Sequence, residues 1–138
     1  MQRDELQLLG AAMPTSVKCA VLMLALGMVA VLFAIHFASL EYGFFAFTDP
    51  IMLLVATVCL ALSIYAIREI VKAKPNIRLI LLLIGLGFIT WDVWDYTQYG
   101  FSPYAAAQAC VTMLVLHAWL LLSLPVSNEW FQRMNAEE

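Results

Sequence analysis

The sequence predicts an all-α integral membrane protein, a four-transmembrane-helix bundle with both termini in the cytoplasm. Four apolar runs divide the chain, at residues 17–40, 50–67, 77–96 and 103–124. All seven Lys and Arg fall on one side of the resulting path: Arg3 and Lys18 at the start, Arg68, Lys72, Lys74 and Arg78 between the second and third runs, and Arg133 after the fourth. The other two connections carry Glu41, Asp49 and Asp95 and no basic residue. Basic loops are retained on the cytoplasmic face, so both hairpin tips are expected outside a bacterial-type inner membrane.

Composition agrees. A chain that is 64% hydrophobic and 12% charged, with mean hydropathy +0.88, is not an ordinary soluble domain. Each span needs about 20 apolar residues. Four of them take up most of the 138 residues, so residues 1–138 read as a single transmembrane domain. No basic face is present to hold nucleic acid. The basic segment 68–78 is suited to anionic lipid headgroups.

The first run follows Pro14. Its apolar stretch from Cys19 to Leu40 exceeds the ~7–15 residues of a signal-peptide core and no A-x-A site follows, so a retained helix is expected. Ala20, Gly27, Ala34 and Ala38 form one stripe of small residues, the kind of surface that lets helices approach closely in lipid. The second run opens on Asp49-Pro50, a helix cap followed by proline at the first helical position. Ala56, Cys59, Ser63 and Ala66 form its stripe. Pro75 precedes the third run, where Gly85, Phe88, Asp92, Asp95 and Tyr99 share a face. Ser102-Pro103 caps the fourth, Ala105 and Ala109 are its small residues, and Pro125 closes it. Residues 3–13 and 127–135 read as amphipathic segments on the inner surface, the latter through Trp130, Phe131 and Met134.

The two outer tips resemble one another: Glu41-Tyr42-Gly43-Phe44 against Gln98-Tyr99-Gly100-Phe101. A duplicated helical hairpin would produce this match, and so would shared turn chemistry. The three cysteines, Cys19, Cys59 and Cys110, all fall inside spans with no C-x-x-C pair, which removes a thiol–disulfide oxidoreductase.

One stretch carries the candidate chemistry. The strictly apolar part of the third run, Leu79 to Trp91, is 13 residues, too short for a bilayer core of ~30 Å. The helix must therefore continue to about Tyr96, drawing Asp92 into the outer hydrocarbon, where an ionisable group is a functional hypothesis by default. The alternative is an aromatic belt of Trp91, Trp94, Tyr96 and Tyr99, with the acids facing headgroup water. His36 and Asp92 fall at similar depth, about 6 Å below the outer rim. Such a pair would be a structural clamp, a proton-transfer element or, with Glu41 and Asp95, a divalent-cation site. His36 also lies opposite the Ala20/Gly27/Ala34 stripe, so it faces away from the bundle if that stripe faces inward.

His117, the other histidine, lies toward the inner end of the fourth run. It is offset from His36 by roughly 12–15 Å along the membrane normal, so the two do not ligate one haem within a single chain. Either remains a candidate ligand for haem or pigment at a subunit interface. No catalytic constellation, phosphate loop or diagnostic metal spacing is present, and no cofactor is predicted. The leading expectation is a non-enzymatic accessory or scaffold subunit, packed against other membrane subunits or itself. A homo-oligomeric proton- or cation-coupled carrier using His36 and Asp92 is the competing class. A redox subunit holding haem, pigment or quinone at an interface is the third. Reporter fusions check the topology: a C-terminal green fluorescent protein should fluoresce, and alkaline phosphatase should be active at residue 101 and inactive at residue 74.

Overall fold

The structure, a computed structural model, describes residues 13–42 and 50–136. They form five helices: α1 (Thr15–Tyr42), α2 (Pro50–Val71), α3 (Ile77–Tyr99), α4 (Pro103–Leu122) and α5 (Pro125–Ala136). The first four are long and apolar enough to cross a membrane. They run up and down, so the 72–76 loop, the start of α1 and α5 share one end, here the basic end. The α1 C-terminus and the 100–102 turn share the other, the acidic end. Residues 43–49, with Asp49 and half of the tip repeat, lie outside the described residues, as does most of the 3–13 segment.

The most extensive contact is α1 on α4, followed by α3 on α4 and α2 on α1, whereas α2 and α3 barely touch. Small residues explain the first. Ala20, Gly27, Ala34 and Ala38 are all buried, as their spacing predicts. Ala56 and Ala66 are buried on α2. The Ala105/Ala109 pair does not pack in this way: Ala109 is exposed, and α4 instead buries Val111, Thr112, Val115, Ala118 and Leu122. Hydroxyls elsewhere in the spans return to their own helix, Thr57 to the Leu53 carbonyl and Thr90 to that of Leu86, which removes a polar group from lipid.

Helix ends follow local chemistry. Ser102 is extended, and its Oγ accepts from the Ala105 N–H at 3.1 Å, with Pro103 at the start of α4. Gly100 ends α3 with φ 72°, a left-handed conformation that glycine adopts without steric cost. At the end of α2 the N–H of Ala73 reaches the Ile70 carbonyl and that of Lys74 reaches Glu69, a Schellman pattern. There Ala73, at φ 55°, holds the position glycine usually takes.

The main core lies at the basic end, where Val17, Ala20, Leu24, Ile70, Ile77, Leu81 and Leu122 meet Trp130 and Phe131. The 127–135 segment is helical, as expected, but its aromatic face is turned into the bundle rather than toward headgroups: Trp130 and Phe131 are 2% and 1% exposed. Polar contacts fasten α5 there. Ser16 and Ser127 hydroxyls are 2.7 Å apart, and Ser127 donates to the Leu121 carbonyl. Arg78 donates to Asn128 at 2.9 Å and lies over the Phe131 ring, and Asn135 donates to the Ala73 carbonyl.

Midway along the bundle is a cavity of about 30 Å³, lined by Leu24, Gly27, Cys59, Leu81, Phe88 and Val115 among others. It is near the size of one water and almost wholly apolar, so it stays dry. Gly85 sits beside it at the α3–α4 contact, where an added Cβ would meet Leu116 Cδ2 at 2.7 Å, while a Cβ on Gly87 meets nothing. Gly85→Val should therefore destabilise the bundle by about 1–3 kcal/mol. Gly87→Val should leave stability unchanged or slightly raised. Unfolding titrations in mixed micelles distinguish the two.

Candidate functional site

Asp92, Asp95, Tyr104 and Thr112 lie in the acidic half of the bundle. Helix α3 continues to Tyr99, three residues beyond the expected boundary. Asp92 is thus seven residues from the helix end, about 10 Å deep. From α4, Thr112 meets it: Thr112 Oγ1 is 2.5 Å from Asp92 Oδ2 and 3.2 Å from the Gln108 carbonyl oxygen. The second carboxyl oxygen, Asp92 Oδ1, is buried with no hydrogen-bond partner. Phe88, one turn below Asp92, and Val111, beside Thr112, both line the central cavity. The carboxyl–hydroxyl pair lies beyond the residues that line that cavity, toward the acidic end.

Asp95, one turn nearer the end, is 4% exposed and feels the charges of both Glu41 and Asp92. Tyr104 of α4 hydrogen-bonds Trp91 and lies in the field of the same three carboxylates. No lysine or arginine stands at this end among the described residues. Trp91, Trp94, Tyr96 and Tyr99 are exposed. The rings of Trp91 and Trp94 are 5.4 Å apart, and Trp94 meets Tyr99 edge-on at 6.4 Å. The aromatic belt and the acids thus occupy different faces of α3: rings outward, Asp92 and Asp95 inward. The acids do not share the belt's outward face.

His36 and Asp92 are not brought together. His36 follows the buried Ala34 by two residues, about 200° around the helix, so it is exposed on the outer face of α1. Its ring neighbours Phe37 at 5.9 Å, and its carbonyl accepts from Ser39. No hydrogen bond or ion pair links it to Asp92, whose one bonded oxygen is on Thr112. Among the described residues no three His, Cys, Asp or Glu side chains converge to hold a metal ion.

His117 is exposed on α4, its Nδ1 2.7 Å from the Met113 carbonyl oxygen. A carbonyl only accepts, so Nδ1 carries the proton and Nε2 points away from the helix as an open acceptor. Between α1 and α4, on the outer face, lies a groove of about 470 Å³ lined by Ala30, Phe33, Phe37, Pro103, Ala106, Ala107 and Cys110. At the basic end Arg68, Lys72 and Lys74 are exposed, whereas Arg78 is half-buried and engaged with α5.

Thr112 and Tyr104 were not singled out by sequence as members of this site. A signal for Thr112 was present: Asp92 and Thr112 lie equally far on either side of Ser102, and an antiparallel hairpin brings such positions level. No family model matches this chain, and no curated protein or solved structure matches it either. Thr112→Val alone should destabilise the bundle by about 1–3 kcal/mol, because it leaves Asp92 without its partner. The double variant Asp92→Leu/Thr112→Val should recover most of that loss, as read from unfolding midpoints in detergent.

Proposed function

We propose that this chain is a multi-pass protein of a bacterial-type inner membrane, with both termini in the cytoplasm. It serves as a non-enzymatic accessory subunit, packed against another membrane protein through the outer face of α1 and α4. The orientation rests on the segregation of all seven Lys and Arg to one end of the helices. The subunit role rests on one observation above the others: His117 lies exposed on a spanning helix with Nδ1 committed to Met113. An imidazole acceptor facing hydrocarbon is costly, and polar groups in spans usually face protein or water. A donor on a neighbouring helix satisfies it. The groove beside Phe33, Phe37 and Cys110 offers that neighbour small residues to approach.

The same geometry favours a second reading. A histidine that binds a metal usually gives its other ring N–H to a carbonyl or carboxylate, and His117 has that arrangement. Haem or a pigment shared with a partner at this face is the form a redox role would take. The carrier reading loses its histidine, because His36 does not meet Asp92.

Mild-detergent purification of a tagged chain from native membranes, followed by native mass spectrometry, tests the proposal. A stoichiometric partner protein is expected. His117→Phe should weaken the complex by about 0.6–1.7 kcal/mol, roughly three- to twentyfold. Recovery of homo-oligomer or monomer alone overturns the subunit role. A visible absorption band lost in His117→Phe selects the cofactor reading.

A further inference from the structure

Proton bookkeeping around Thr112 leads to a second site, independent of the partner face. The Thr112 hydroxyl has one proton and two acceptors within reach, Asp92 Oδ2 at 2.5 Å and the Gln108 carbonyl at 3.2 Å. A mid-helix threonine can donate to the carbonyl four residues back, and the Gln108 carbonyl is within reach of Thr112. With the Thr112 proton on Gln108, the short contact to Asp92 needs a proton of its own, which only the carboxyl can supply; with an ionised Asp92 the Thr112 proton goes to Oδ2 instead.

A length of 2.5 Å fits either a neutral or an ionised carboxyl. The surroundings decide. Asp92 Oδ1 is buried with no donor. Among the described residues, the titratable groups coupled to Asp92 are an acid and a phenol, Asp95 and Tyr104, and Glu41 lies beyond them. His36 points away, and α2 sends no charged side chain to this level. An ionised Asp92 would hold uncompensated charge on Oδ1, near the Asp95 carboxyl, in a membrane interior. A neutral acid leaves there only a carbonyl lone pair.

We infer that Asp92 is a proton-binding site: a neutral carboxylic acid that donates from Oδ2 to Thr112 Oγ1, while Thr112 donates to the Gln108 carbonyl. The ligand is one proton, bound between α3 and α4. Asp95, one turn away, and Glu41, at the end of α1, are carboxylates through which it exchanges with water at the acidic end.

Infrared difference spectroscopy of the purified full chain at neutral pH is the test. Wild type minus Asp92→Asn should show the C=O band of a protonated carboxylic acid, lost in the variant. In Thr112→Val that band should persist and shift, and Thr112→Ser should restore its position. A difference spectrum holding only the two carboxylate stretches overturns the inference. Should Asp92→Asn fail to fold, wild type minus Thr112→Val reads the same group: a shifted acid band supports the site and shifted carboxylate bands refute it.

Discussion

Helices in lipid gain little by hiding apolar surface from one another, because the acyl chains are as apolar as leucine. What holds them is how closely their backbones approach, and in this chain the close approach is made by α1 against α4. Ala20, Gly27, Ala34 and Ala38 recur along the buried side of α1, and a Cβ added to Gly27 would reach Leu114 across the interface at 4.0 Å, an ordinary van der Waals distance. With that pair in place, α3 packs on α4 and α2 on α1, and all four line the central cavity. The placement of Asp92 against Thr112 and the outward presentation of His36 and His117 both follow from it.

The two ends of the bundle solve opposite problems. At the basic end, a short amphipathic helix closes the core with two aromatic rings, and its polar atoms are met by Ser16, Arg78 and the Ala73 carbonyl. The cation–π contact of Arg78 on Phe131 adds about 0.5–2 kcal/mol. Against this stands the Trp130 Nε1 proton, buried without an acceptor, a cost of about 1–3 kcal/mol. At the acidic end there is no equivalent closure among the described residues. Only Ile35 and Ala56 form a small buried cluster there, and polar groups take the place of packing.

Much of this was legible from residue order because bilayer physics leaves few choices. Four apolar runs must be helices, and the proline boundaries, the Ser102 cap and the small-residue stripe of α1 are local features with local causes. The outward face of His36 was also readable, since helical periodicity places it opposite Ala34. Periodicity states which residues share a face but not which neighbour that face meets, and the misreadings lie there. Ala105 and Ala109 have the right spacing for close packing, yet Ala109 is exposed while Val111 and Val115 turn in. Trp130 and Phe131 fit a membrane-surface helix equally well, and only the turn at residues 123–124 directs them into the core. Equal depth suggested His36 for Asp92, but depth says nothing of azimuth, and Thr112 holds the matching position across the α3–α4 hairpin.

The dominance of α1–α4 and α3–α4 over α2–α3 also has a consequence for biogenesis. The 80 residues from Tyr42 to Leu122 take roughly 4–16 s to synthesise at ordinary elongation rates. During that interval α1, α2 and α3 enter the bilayer with only the α1–α2 contact of any extent available to them. The helix that joins the others is the last of the four spans to leave the ribosome. Until it arrives, the Ala-rich side of α1 and the carboxyl of Asp92 have no native neighbour, so the nascent chain passes through a stage that an insertase or a membrane chaperone is suited to shelter.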